Sequence, residues 1–181
     1  MTVHGLLLAA GAGRRYGGPK ALVDDWLARS VGVLRDGGCA AVTVVLGASS
    51  EQARALVPEG TAVVVAADWA DGMGASLRAG LAALDADVTA VLVHLVDLPD
   101  VDSRVVARML AGEVTASALR RASYDTVPGH PVLIGRDHVE GVRRSATGDR
   151  GARAYLATHE HDVVECGDLA TGADVDTAPG S

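Results

Sequence analysis

The sequence predicts an α/β fold in three layers, a mostly parallel β-sheet with helices on both faces, and three observations predict it. Short β-branched apolar runs alternate with segments of helical periodicity as far as Asp102. Glycine, at 22 positions, supplies tight turns between them. The apolar residues are mainly Val, Leu and Ala, with 3% aromatics and no phenylalanine, as expected of closely layered strands and helices. At 181 residues and 49% hydrophobic composition, a single domain over residues 1–181 can bury a sizeable core.

The first strand runs into the stretch Leu6 to Leu22, LLLAAGAGRRYGGPKAL. There an apolar run gives way to Gly11, Gly13, Gly17 and Gly18, with Arg14 and Arg15 between them and Pro19 and Lys20 after them. Glycines let the main chain take positive φ and let its amides approach a ligand with no Cβ in the way. Consecutive N–H groups in such a loop form a nest for phosphate oxygens, and Arg14, Arg15 and Lys20 add full charge beside it. A polyphosphate is the expected ligand. A P-loop needs lysine directly after glycine and then Ser or Thr, whereas here Pro19 intervenes and Ala21 follows. The dinucleotide fingerprint needs a third glycine where Tyr16 stands and an acidic residue near Leu46 and Gly47. A plain glycine-rich turn with solvated arginines is the alternative on this stretch alone.

Ala21 to Gly37 places Val23, Trp26, Leu27, Val31 and Leu34 at roughly helical spacing, with Asp24 or Asp25 as cap and Gly37-Gly38 as stop. Ala41 to Leu46 reads as a buried parallel strand, and the helix after it carries Ser49 and Gln52 at capping-box spacing. Thr61 to Ala66 is a third strand, Leu77, Leu81 and Leu84 line a helical face, and Val88 to Val96 is a fourth strand. Ligands of such sheets sit at the carboxyl ends of strands, which sets Asp97, after the fourth strand, near the glycine loop. Before Leu98-Pro99, Asp97 suits a metal facing a phosphate and suits a turn equally. In Trp69 to Gly80, WADGMGASLRAG, a helix starting near Gly74 points free amides at a ligand. Ser76 lies in its first turn, and Arg78 faces either phosphate or solvent.

Beyond Asp102 the alternation weakens. Val105, Val106, Met109 and Leu110 suggest a helix, and Ala116 to Tyr124 and Pro128 to Ile134 suggest strands. A lone histidine such as His130 is structural as readily as functional. Asp149 and Arg150 tip a loop, where they can pair with one another, and a short helix runs through Leu156. His159 and His161 flank Glu160 at a spacing that suits a surface turn rather than zinc.

A net charge of -7 argues against nucleic acid or an anionic membrane as partner, and it favours a divalent cation between the protein and a polyphosphate. Cys39 and Cys166 are too few and too distant for a disulfide framework. No signal peptide precedes the first strand and no apolar run approaches the ~20 residues of a membrane span, so a cytoplasmic location is expected.

The glycine loop resembles the signature LAAGxGxRMGxxK of the MobA-like NTP transferase family, nucleotidyltransferases related to molybdenum cofactor biosynthesis, with Tyr16 in place of the usual methionine. The resemblance covers nearly the whole chain. Gly72 to Arg78 is similar to G-M-x-x-S-L-[RK], and Asp97-Leu98-Pro99 to a metal-binding D-x-P turn. Gly129 to Leu133 resembles the GHPVL of the cytidylyltransferase branch, Thr147 to Arg153 (TGDRGAR) another family loop, and Ala173 to Thr177 (ADVDT) the family's DxDTPED. Two features depart from the pattern. The chain ends at Ala178 to Ser181 where an acidic final helix is usual, and the segment between Lys20 and the first helix is short.

The resemblance implies a Rossmann-like, GT-A-type nucleotidyltransferase fold, with an NTP-binding half at residues 1–101 and an acceptor-binding half at residues 102–181. It implies nucleotide contacts from Leu8, Ala9, Ala10, Gly11, Ala12, Gly13, Arg14, Gly74, Ser76 and Arg78, and catalytic roles for Lys20, Arg15 and Asp97. Asp97 and Asp176 would hold Mg2+, with Asp174 the alternative to Asp176, and His130 and Arg150 would meet the acceptor. LAAG at Leu8 to Gly11 goes with cytidine transfer to molybdopterin in this family, which implies CTP, molybdopterin and transient contact with a molybdoenzyme. A sugar 1-phosphate or phospholactate acceptor is the rival within enzymes. A module that holds a nucleotide or cofactor without chemistry is the rival outside them.

Overall fold

The computed structural model describes residues 2–177. The tail expectation at Ala178 to Ser181 therefore lies outside the described residues. In chain order come β1 (Val3–Ala9), α1 (Trp26–Asp36), β2 (Ala41–Leu46), α2 (Ser50–Arg54), β3 (Ala62–Val65), α3 (Met73–Ala82) and β4 (Ala90–Leu95). Then follow α4 (Ser103–Met109), β5 (Leu119–Tyr124), β6 (Val127–Gly135), α5 (Arg136–Ser145), α6 (Arg153–Leu156) and β7 (Asp162–Glu165).

These strands form one seven-stranded sheet in the order β3-β2-β1-β4-β6-β5-β7. β1, β2, β3 and β4 are mutually parallel, β6 runs antiparallel to both β4 and β5, and β7 is parallel to β5. The expected mostly parallel sheet is present. Alternate residues of a strand face opposite sides, and here both sides are buried. Val3, Leu7 and Ala9 of β1 pack with Leu27, Val31 and Leu34 of α1 and with Val105, Val106 and Met109 of α4. Leu6 and Leu8 pack on the opposite face with Leu77 and Leu81 of α3, Val139 and Val142 of α5, and Leu156 of α6. Each fully buried leucine or valine contributes about 1.5–3 kcal/mol of burial energy, so β1 is the centre of both layers. Gly80 lets α3 lie close to the sheet, because a Cβ there would come 2.7 Å from Leu6 Cδ1.

Strand order also fixes where a ligand can sit. β1 leads through α1 to β2 on one side, and the chain returns from β3 through α3, on the opposite face, to β4 on the other side, so the strand order reverses at β1 and opens a crevice at its carboxyl end.

Several local expectations are corrected. The first helix starts at Trp26 with Asp25, one of the two expected caps, at its N-cap position, but Asp25 makes no side-chain capping bond, and Lys20–Leu22 before it form a separate 3-10 turn. Ser49 adopts a left-handed conformation with φ 55 and also makes no capping bond, so no capping box with Gln52 starts the five-residue α2. The strand expected from Ala116 begins only at Leu119. Cys39 and Cys166 are free and buried. No helix among the described residues is long and apolar enough to cross a membrane.

Candidate active site

The crevice at the end of β1 is a cleft of about 370 Å³, within the size range of small-molecule sites. Its floor is Leu8 to Gly13 with Arg14, its far walls are Trp69, Gly72, Met73 and Ser76, and Leu95, Val96 and Asp97 close the β4 side. The loop holds its shape through Gly13, whose carbonyl accepts from the amides of Gly17 (2.9 Å) and Gly18 (3.1 Å). Gly13 has φ +57, and a Cβ there would lie 1.9 Å from the Gly18 carbonyl oxygen, so only glycine fits. Gly11, with open space where a Cβ would be, keeps the backbone bare toward the cleft.

Lys20 turns back from the 3-10 segment into this floor. Its Nζ donates to Asp97 Oδ2 at 2.7 Å and to Asp176 Oδ1 at 3.3 Å. The Lys20 and Asp97 side chains are only 13% and 19% exposed, so the contact is largely shielded from water. Burial works to lower the Lys20 pKa, and the hydrogen bonds and charges of Asp97 and Asp176 outweigh it, so the ammonium is held above its ordinary value. Asp176 reaches the site because the Val175 amide donates to the Asp97 carbonyl at 3.1 Å, which pins the C-terminal segment onto the end of β4. The Lys20 hydrogen bond holds the Asp176 carboxyl below the usual range, with Arg15 adding to it.

Carboxylate oxygens of Asp97, Asp174 and Asp176 lie within 4.8 Å of one another. Three hard oxygen donors at that spacing, already facing an ammonium, fit a divalent cation such as magnesium or manganese. Asp174 and Asp176 thus both stand at the site.

The other residues expected at the site are placed unevenly. Leu8 to Arg14 and Ser76 line the cleft. Arg15 is 82% exposed and pairs with Asp176 at 3.0 Å, in an adjoining hollow with Tyr16 and Lys20. Arg78 donates to Asp68 at 3.1 Å and to the Ala146 carbonyl, tying α3 to the segment after α5, and is not among the residues that line the cleft. Gly74 lies against the segment after α5, where a Cβ would come 2.8 Å from the Thr147 amide nitrogen. His130 is half-buried, and burial, with the charges of Arg121 and Arg153, pushes its imidazole down to about 4. Arg150 is exposed and forms no ion pair among the described residues, so it does not pair with Asp149, which instead lines the cleft.

Sequence reasoning did not single out Trp69 or Asp149 as lining residues, and reached Gly72 and Met73 only as part of the segment similar to G-M-x-x-S-L-[RK]. Trp69 packs against Gly47 after β2, where a Cβ would come 2.5 Å from its side chain, and this contact sets the cleft's outer wall. The signal available was Gly72, whose φ of +105 starts α3 and whose missing Cβ admits Gly148 and Asp149.

A family profile described as the MobA-like NTP transferase domain matches residues 5–163. The chain belongs to this family. As a MobA-like protein it shares the nucleotidyltransferase assignment of the family, and its glycine loop and Asp97 turn lie within the matched residues. A relative named nicotine blue oxidoreductase, from Paenarthrobacter nicotinovorans, is 38% identical over 97% of this chain and 92% of its own. Among solved structures, Rv0371c of Mycobacterium tuberculosis H37Rv superimposes with a TM-score of 0.83 at 29% identity, covering 98% of this chain and 93% of its own. A structure of the same mycobacterial protein in complex with manganese gives a TM-score of 0.77 at 26% identity, covering 97% of this chain and 94% of the other.

Proposed function

We propose that this MobA-like protein transfers a nucleoside monophosphate from an NTP, CTP by preference, to a phosphorylated acceptor, molybdopterin by preference, and releases pyrophosphate. The observation that carries the reading is the meeting of Lys20, Asp97 and Asp176 at the mouth of the glycine-loop cleft. The halves proposed at residues 1–101 and 102–181 meet there, since Lys20 and Asp97 come from the first and Asp176 from the second.

In the transfer, an oxygen of the acceptor phosphate bonds to the α-phosphorus as the bond from that phosphorus to the β-bridging oxygen breaks, and pyrophosphate takes the electron pair. A phosphate monoester is already a nucleophile, so the protein needs to position and to neutralise charge rather than to supply a base. Amides of Gly11 to Gly13 cradle phosphate oxygens, and Lys20 and Arg15 stabilise charge growing on the α-phosphate and the leaving pyrophosphate. Asp97 and Asp176, with Asp174 beside them, are the residues that would hold Mg2+, which would neutralise phosphate charge during the step. His130 and Arg150 belong to the acceptor side, and contact with a molybdoenzyme would follow transfer to molybdopterin. The manganese complex of Rv0371c supports a divalent cation in proteins of this shape.

The test is pyrophosphate release with each of CTP, GTP, UTP and ATP, with magnesium, with and without molybdopterin. Release with CTP that requires molybdopterin establishes reaction and acceptor together. Release from none of the four, with nucleotide binding retained, moves the assignment to a different acceptor, such as a sugar 1-phosphate or phospholactate, or to a binding module. The relative named as an oxidoreductase brings a second reading, a redox role for the same cleft, favoured by its 38% identity along nearly the whole chain. Hydride transfer from a reduced nicotinamide cofactor to an added quinonoid dye, catalysed by the purified protein so that the dye is reduced as the nicotinamide is oxidised, in the absence of pyrophosphate release from any NTP, selects that reading.

A further inference from the structure

The cleft at the end of β1 contains a charged side chain that the phosphate chemistry does not use. Asp149, on the 3-10 turn Gly148–Arg150 between α5 and α6, lines it together with Trp69, Gly72 and Met73. Two glycines set its position. Gly148 turns the chain at φ +51, and Gly72 has no Cβ, where one would come 2.6 Å from Asp149 Oδ1. Asp149 joins none of the ion pairs among the described residues, and it stands outside the group of Asp97, Asp174 and Asp176. One helical turn on from Gly72, Ser76 of α3 also lines the cleft and is only 4% exposed. Among the described residues, neither the Ser76 hydroxyl nor the Asp149 carboxylate has a hydrogen-bond partner.

A carboxylate repels phosphate oxygens, so the part of an NTP that rests against Asp149 is not its polyphosphate, which the glycine loop and Lys20 draw to the floor of the cleft. The wall beside Asp149 is formed by the Trp69 and Met73 side chains, a surface suited to a planar base. A carboxylate only accepts hydrogen bonds, so the base edge facing it must donate, whereas the Ser76 hydroxyl can serve either a donor or an acceptor next to it. Of the two pyrimidines, cytosine carries an amine at ring position 4 and uracil a carbonyl oxygen. We infer that Asp149 reads the base of the nucleotide, accepting from the 4-amine of cytosine and repelling O4 of uracil, with the Ser76 hydroxyl serving the neighbouring ring position. The inference rests on the transfer reading above, in which the cleft holds an NTP, and names the residue that makes CTP the preferred one.

The experiment measures CTP and UTP affinity by calorimetric titration of the full chain, with magnesium and without an acceptor. The wild type is expected to bind CTP about tenfold tighter than UTP. In Asp149→Asn the side chain offers a donor as well as an acceptor, so the ratio should fall to within about twofold, by loss on CTP and gain on UTP. Asp149 is exposed, so the substitution keeps the fold, which an unchanged melting temperature checks. Equal wild-type affinities, or a ratio unchanged in Asp149→Asn, would overturn the inference. So would an equal loss on both nucleotides, which would assign the carboxylate to the ribose hydroxyls they share. If neither nucleotide binds, the transfer reading falls as well; if the ratio depends on Asp149 while no NTP yields pyrophosphate, the transfer reading falls and the base assignment stands.

Discussion

Lys20 Nζ lies 2.7 Å from Asp97 Oδ2 and 3.3 Å from Asp176 Oδ1, so one ammonium bridges two carboxylates suited to a divalent cation. The lysine therefore balances their charge in the free protein, and a metal placed among the same oxygens competes with it.

Replacing Lys20 or Asp97 with alanine is expected to leave the fold intact and to lower turnover by about 100-fold or more, because Lys20 aims positive charge at the reacting phosphates and Asp97 would hold the cation that neutralises them. Circular dichroism checks the first half and pyrophosphate release the second. Near-normal turnover in both variants ends the assignment.

Lys20→Met removes the competitor without removing a carboxylate, so manganese binding without nucleotide should tighten severalfold, about what one partly shielded ion pair contributes. Asp176→Asn should weaken it by about tenfold or more, and Asp174→Asn by less, because Asp176 is the one already oriented by Lys20 and Arg15. Electron paramagnetic resonance of free manganese measures both. Equal losses in the two asparagine variants would make Asp174 an equivalent ligand.

Gly13→Ala forces a Cβ to within 1.9 Å of the Gly18 carbonyl oxygen at a φ of +57. The loop must rearrange, with CTP affinity falling by about tenfold or more and the melting temperature by a few degrees. Gly11→Ala, with nothing near its Cβ, should leave the melting temperature unchanged. Calorimetric titration and a thermal scan separate the two; unchanged CTP binding in Gly13→Ala would remove the loop from the nucleotide site.

His94 is fully buried, both ring nitrogens lack a partner, and burial pushes its pKa down to about 3, with the charges of His130 and Arg29 adding to it. The unfolded chain takes up a proton near pH 6.5 and the folded chain does not, so stability is full above about pH 6.5 and falls as the pH drops toward the folded value. The slope for this one proton is about 1.4 kcal/mol per pH unit. His130, down to about 4, adds in the same direction. Urea unfolding between pH 7 and pH 4.5, above the range where most carboxylates titrate, should show the loss in the wild type and a shallower one in His94→Leu. A flat wild-type profile would refute it.

Much of the fold was legible because its determinants are local. Near-continuous apolar runs at Leu6 to Ala9 and Ala41 to Leu46 mark strands buried on both faces, and the spacing of Leu27, Val31 and Leu34 marks a helix over one of them. The caps at Asp25 and Ser49 misled because a capping residue acts only if its backbone enters the helix in the required conformation, and Ser49 enters left-handed. The glycine loop was legible for a stronger reason: Gly13 has no alternative residue at its φ, so sequence and geometry carry the same information there.

By itself, then, the sequence determined the strand-helix alternation, the glycine-rich loop after the first strand and an aspartate at the end of the fourth strand. Only the tertiary structure decided which charges meet. Asp176 reaches Lys20 across 156 residues because Val175 bonds to the Asp97 carbonyl, and Arg78 turns from the cleft because Asp68 and Ala146 capture it. Propensity and periodicity act over a few residues, whereas the partner of a long charged side chain is set by strand order and layer packing, which spacing along the chain does not encode.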